Sequence, residues 1–99
     1  MQNKNDIIFE NLKRMSEIAM VYELTKQREK SESYHRNIIR ICDESPKNEM
    51  TLQYKIHSLN RLGKPFKSLE TTNELLNLNP YNMTALINIA KHLKEASNV

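Results

Sequence analysis

Few residue types in this chain could carry chemistry: three histidines, one cysteine and some neighbouring carboxylates. Catalysis needs a nucleophile or an acid–base group beside a partner that tunes it. His35, His57 and His92 fall on three separate helical segments, with no cysteine beside any of them. HExxH and CxxC are absent, and a single glycine rules out the glycine-rich phosphate loops. The histidines therefore read as exposed helix-surface residues. Glu29/Glu32 and Asp43/Glu44 read as charges on solvated faces near helix ends. Cys42 sits in the apolar run NIIRICDE and reads as a small buried hydrophobe; alone, it forms no internal disulfide. Asn82, which opens the sequon-like triplet NMT, reads as a helix cap. The residues predict no enzyme, no cofactor and no metal.

The bulk numbers agree with a binding role. Ninety-nine residues make one domain, with room for one modest core and no large enclosed pocket. Hydrophobic residues are 38% and charged residues 27%, with mean hydropathy -0.70. The apolar residues are mostly long and aliphatic, which suits a folded helical domain. One glycine and three prolines leave little material for the turns of an all-β fold. The net charge of +3 is uneven: residues 1–49 carry nine Lys/Arg against nine Asp/Glu, residues 50–99 six against three. A mildly basic second half suits an acidic partner, but falls short of the dense basic stripe of a dedicated nucleic-acid binder. No segment has the apolar length of a membrane span or a signal peptide, so a cytoplasmic protein without membrane contact is expected.

The elements that must position these residues are helices. Asp6 precedes Ile7, Ile8, Leu12, Met15, Ile18, Ala19 and Tyr22, the spacing of an amphipathic helix that ends near KQREKSES. Tyr34, Ile38, Ile41 and Cys42 mark a second, stopped before Pro46. Asn48 can cap a third carrying Leu52, Ile56, Leu59 and Leu62, closed by Gly63. Pro65 suits the first turn of a fourth, faced by Phe66, Leu69, Thr72, Leu75, Leu76 and Leu78 and ended by Pro80. Asn82 caps a fifth, with Leu86, Ile89, Ala90 and Leu93 on one side.

Pro46 and Pro80 are 34 residues apart, and that shift superposes the apolar faces. Ile18, Leu52 and Leu86 coincide; so do Tyr22, Ile56 and Ala90, then Leu59 and Leu93. Ile41 falls on Leu75 and Cys42 on Leu76. Two helices per 34-residue unit with proline at the boundary resemble the tetratricopeptide repeat, best in residues 49–82 with Gly63 at the inter-helix turn. Glu29 replaces that glycine in the first unit, and Tyr22, Ile56, Ile41 and Leu75 are bulkier than the family's usual residues. The resemblance implies an all-α solenoid of antiparallel helix-turn-helix repeats. Residues 1–14 form an N-terminal extension or cap, 15–48 and 49–82 the two repeats, and 83–97 a C-terminal capping helix with a polar outer side.

Such arrays hold an extended peptide or a partner helix in a concave groove lined by the first helix of each unit. Carried over in the 34-residue register, the lining is Ala19, Glu23 and Lys26; then Gln53, His57, Asn60 and Arg61; then Ile87, Asn88, Lys91 and Lys94. The family's carboxylate clamp is missing, because its places hold Ala19, Glu23, Tyr54, Thr84 and Asn88. The expectation is a non-catalytic protein-interaction module, centred on His57 and Lys91, for a protein or peptide that is acidic toward the C-terminal repeat. A homodimer or larger homo-oligomer pairing through apolar end faces is the alternative, since two and a half units leave such faces uncovered. Weak RNA or polyanion contact through the basic half ranks third.

Overall fold

The computed structural model describes residues 3–97. Five helices and no strand occur among them: α1 (Lys4–Leu24), α2 (Arg28–Glu44), α3 (Glu49–Arg61), α4 (Pro65–Leu78) and α5 (Met83–Ser97). Connections of three or four residues make chain neighbours pack as antiparallel hairpins. The result is a flat body of 46 × 35 × 18 Å.

Helix ends follow local chemistry. Asn3, not Asp6, caps α1, its Oδ1 accepting from the Asp6 N–H at 2.9 Å. Asn48 caps α3 in a reciprocal box with Thr51. Asn82 Oδ1 accepts from the Ala85 N–H at 3.0 Å, as the 34-residue register expects. Pro65 opens α4. Gly63, at φ 70°, closes the α3–α4 turn in the left-handed region.

The first hairpin departs from the expected register. Glu29 is not the turn residue; it lies inside α2, and Lys26 takes the left-handed place at φ 60°. The charged stretch 28–33 is therefore helix and not connection. It is held by Arg28–Glu32 pairing at 3.4 Å and by buried Ser31, whose Oγ donates to Glu23 at 3.2 Å.

The core forms two clusters. Leu12, Ile38 and Cys42, with Ile8, Met15, Ile41, Met50 and Tyr54 against them, join α1, α2 and α3. Leu52, Ile56, Leu75 and Ala85, with Leu76, join α3, α4 and α5. Burial pushes the Cys42 thiol up to about 12, with Asp43 adding to the effect. Phe66 does not line the buried face of α4: it is 86% exposed, and Ser68, Thr71, Thr72 and Leu75 are the residues turned inward.

The larger correction concerns α5. Its leucines were expected to pack, with polar residues outward. Instead Ala85 and Asn88 are its buried residues, and Leu86, Ala90 and Leu93 are exposed. The helix is rotated because its strongest anchors are polar. Asn88 Nδ2 donates to Ser68 Oγ at 2.9 Å and Thr72 Oγ1 at 2.8 Å, and Asn88 Oδ1 accepts from Asn60 Nδ2 at 2.8 Å. Ser68 Oγ donates to Asn60 Oδ1 at 2.6 Å, which closes the network. A buried amide satisfied at this many atoms fixes one helix orientation, since turning it out would strand its partners.

Candidate functional site

A polar cluster and a groove lie where the sequence placed a binding face. The polar cluster surrounds Glu23 at the end of α1. Arg61 of α3 grips its carboxylate with two bonds, Nε to Oε1 at 3.1 Å and Nη2 to Oε2 at 2.8 Å. His35 of α2 lies 2.9 Å from Oε1 through Nε2, and its Nδ1 is 2.9 Å from Ser58 Oγ. Burial alone would raise the Glu23 pKa; hydrogen bonds from His35 and Arg61 outweigh it and hold the carboxyl low. His35 is 2% exposed and the His92 side chain 12%, so of the three histidines expected on the surface only His57 is exposed.

Carboxylate, imidazole and serine hydroxyl in this order resemble the relay of acyl-transfer enzymes. An ionised carboxylate only accepts, so His35 Nε2 is the donor of that bond, which leaves Nδ1 to meet the Ser58 hydroxyl. Ser58, however, is fully buried, and no substrate carbonyl can reach its oxygen. The arrangement serves to tie α1, α2 and α3 together. No group of three or more His, Cys, Asp or Glu able to hold a metal occurs among the described residues.

The groove runs over α1 and α3. A cavity of about 230 Å³ is bounded by Lys13, Glu17, Met20 and Arg61 among others, and one of about 360 Å³ by Phe9, Met50, Gln53 and Thr84. Both are lined by Ser16, Tyr54 and His57, so they adjoin along one face of α1 and α3. Phe9 stands edge-on to Tyr54 with ring centroids 6.2 Å apart, and His57 meets His35 the same way at 5.9 Å. Though its outer edge is exposed, His57 has its pKa lowered, first by burial of its inner side and then by His35, Arg61 and Lys91.

The expected lining residues divide. Gln53 and His57 face the groove. Arg61 borders it, but with its charge matched by Glu23. Asn60 is drawn into the Asn88 network, and Asn88 is buried. Lys91 sits beside Asn60, Gly63 and Pro65 at the α3–α4 turn, while Lys94 is exposed farther along α5. Tyr54 and Thr84, two of the places where the resemblance put a clamp, do line the groove, while sequence reasoning missed Phe9 and Ser16. The usable signal was the pairing of Tyr54 with His57 one turn on, beside methionines on both α1 and α3. No protein-family model, curated protein or solved structure matches the chain. No helix of the described residues is long and apolar enough to cross a membrane.

Proposed function

We propose that this chain is a non-catalytic, tetratricopeptide-like interaction module that takes a peptide or a protein segment along the α1–α3 groove. The observation that carries the reading is the pair of adjoining depressions that share Ser16, Tyr54 and His57. Its walls alternate apolar surface from Phe9, Met20 and Met50 with hydrogen-bonding groups from Gln53, Thr84 and His57. That mixture suits an extended chain, whose backbone needs polar partners while its side chains seek apolar ones. Lys13 at the rim and Lys91 and Lys94 beyond it favour an acidic partner; Arg61, matched by Glu23, adds little net charge.

The test is selection of binders from a library of random peptides, followed by amide-shift mapping on the labelled protein. Shifts should concentrate on Ser16, Gln53, Tyr54, His57 and Thr84. Replacing Lys91 and Lys94 together by Glu should weaken acidic binders while helicity is unchanged. Shifts confined to the outer face of α4 would refute the groove.

A further inference from the structure

The same repeat position is covered in one unit and bare in the next. In α3, Leu52, Ile56 and Leu59 are 3%, 2% and 2% exposed. Their counterparts one repeat later, Leu86, Ala90 and Leu93, lie open on α5, the leucines at 41% and 65%. Met83 and Ile87 extend this bare strip, both more than half exposed. Met83, Leu86, Ala90 and Leu93 follow the three-four-three spacing of a heptad seam, the pattern that seeks a second helix.

We infer that a second copy of this chain covers the strip, with the two α5 helices antiparallel about a two-fold axis. The seam is self-complementary in that direction. Met83 falls opposite the partner's Leu93 and Leu86 opposite the partner's Ala90, with the two reciprocal pairs completing the interface. Every layer is apolar, and small Ala90 receives large Leu86, which lets the helices approach closely. Ile87 meets the partner's Ile87 beside the axis. Lys94 falls about 18 Å along the axis from the partner's Lys94, by the helical rise, so like charges do not oppose one another. The symmetry closes, giving a dimer and not a fibre.

A single-helix seam is smaller than the ~800 Å² per partner of a standard interface, so the dimer is a weak one, dissociating at roughly 10–100 µM. Sedimentation velocity on the full chain from about 5 to 500 µM spans that range. A concentration-dependent monomer–dimer equilibrium is expected. Ala90→Glu, on an exposed helix position, should weaken it at least about tenfold with an unchanged circular-dichroism spectrum; Leu93→Glu is the second variant. Under mild oxidation Ile87→Cys should give a covalent dimer that Lys94→Cys and the parent chain, with Cys42 buried, do not. A monomer at every concentration overturns the inference, as does a dimer indifferent to both seam variants. The reverse cross-linking pattern overturns the antiparallel two-fold.

Discussion

Replacing Asn88 by alanine is the sharpest test of what holds α5 in place. The substitution removes two donors, to Ser68 and Thr72, and the acceptor for Asn60 Nδ2. A buried polar group left unmet costs about 1–3 kcal/mol. Two partners are partly spared: Ser68 keeps its bond to Asn60 Oδ1, and Thr72 Oγ1 still donates to the Ser68 carbonyl at 2.8 Å. Asn60 is half-buried, so water can replace its lost acceptor. The net loss expected is about 2 kcal/mol, which for a domain of this size lowers Tm by roughly 8–16 °C. Leu93→Ala is the comparison. Leu93 is 65% exposed; full burial of a leucine is worth about 1.5–3 kcal/mol, and alanine is the better helix former, so its loss stays below about 1 kcal/mol. Urea unfolding followed by circular dichroism at about 1 µM keeps the chain monomeric and reads both values. Asn88→Asp, which preserves shape but removes both donors and buries a charge, should cost more than Asn88→Ala. If Leu93→Ala costs more than Asn88→Ala, α5 packs through its leucines and both the network argument and the exposed seam fail.

Acidification should destabilise the protein in two stages. His57 has its folded pKa below 6.5 and Glu23 below 4.5, so the unfolded chain binds more protons as pH falls. The contribution of His57 is complete above about 6.5 and is lost as pH falls toward its folded value; that of Glu23 is complete above about 4.5 and is lost as pH falls through its own. Urea midpoints across pH 7 to 3 should decline accordingly, with His57→Gln flattening the first stage; a midpoint that rises between pH 7 and 5.5 refutes the assignment. At the turns, Lys26→Gly should stabilise by about 1 kcal/mol by relieving a left-handed side-chain residue. Gly63→Ala should cost about 1 kcal/mol through backbone strain alone, because a methyl there meets no neighbour. Equal Tm values for both turn variants and the parent would contradict the turn geometry.

Much of the architecture is local and therefore readable. Asn48, Pro65, Gly63 and Asn82 act through their own backbone within a few residues, so the spacing of caps and breakers places α3, α4 and the start of α5 correctly. The α1–α2 turn was misplaced because Lys26 bears no mark of a left-handed residue, and the polar segment 28–33 carries no apolar stripe. The groove was half legible. Gln53 and His57 lie on one face of α3, but Phe9 and Ser16 come from a helix whose approach depends on the packing of Leu12 against Ile38 and Cys42.

By itself the sequence determined that the chain is helical and where α3 and α4 begin and end, since each follows from propensity, caps and breakers along one segment. Only the tertiary structure decided that His35 joins Glu23 to Ser58 and that Asn88 turns inward while Leu86 and Leu93 turn out. An apolar stripe marks which side of a helix prefers burial; whether a neighbour is present to bury it is a property of the whole chain. For α5 the hydrogen bonds of its Asn88 to Asn60 of α3 and to Ser68 and Thr72 of α4 outweighed that preference.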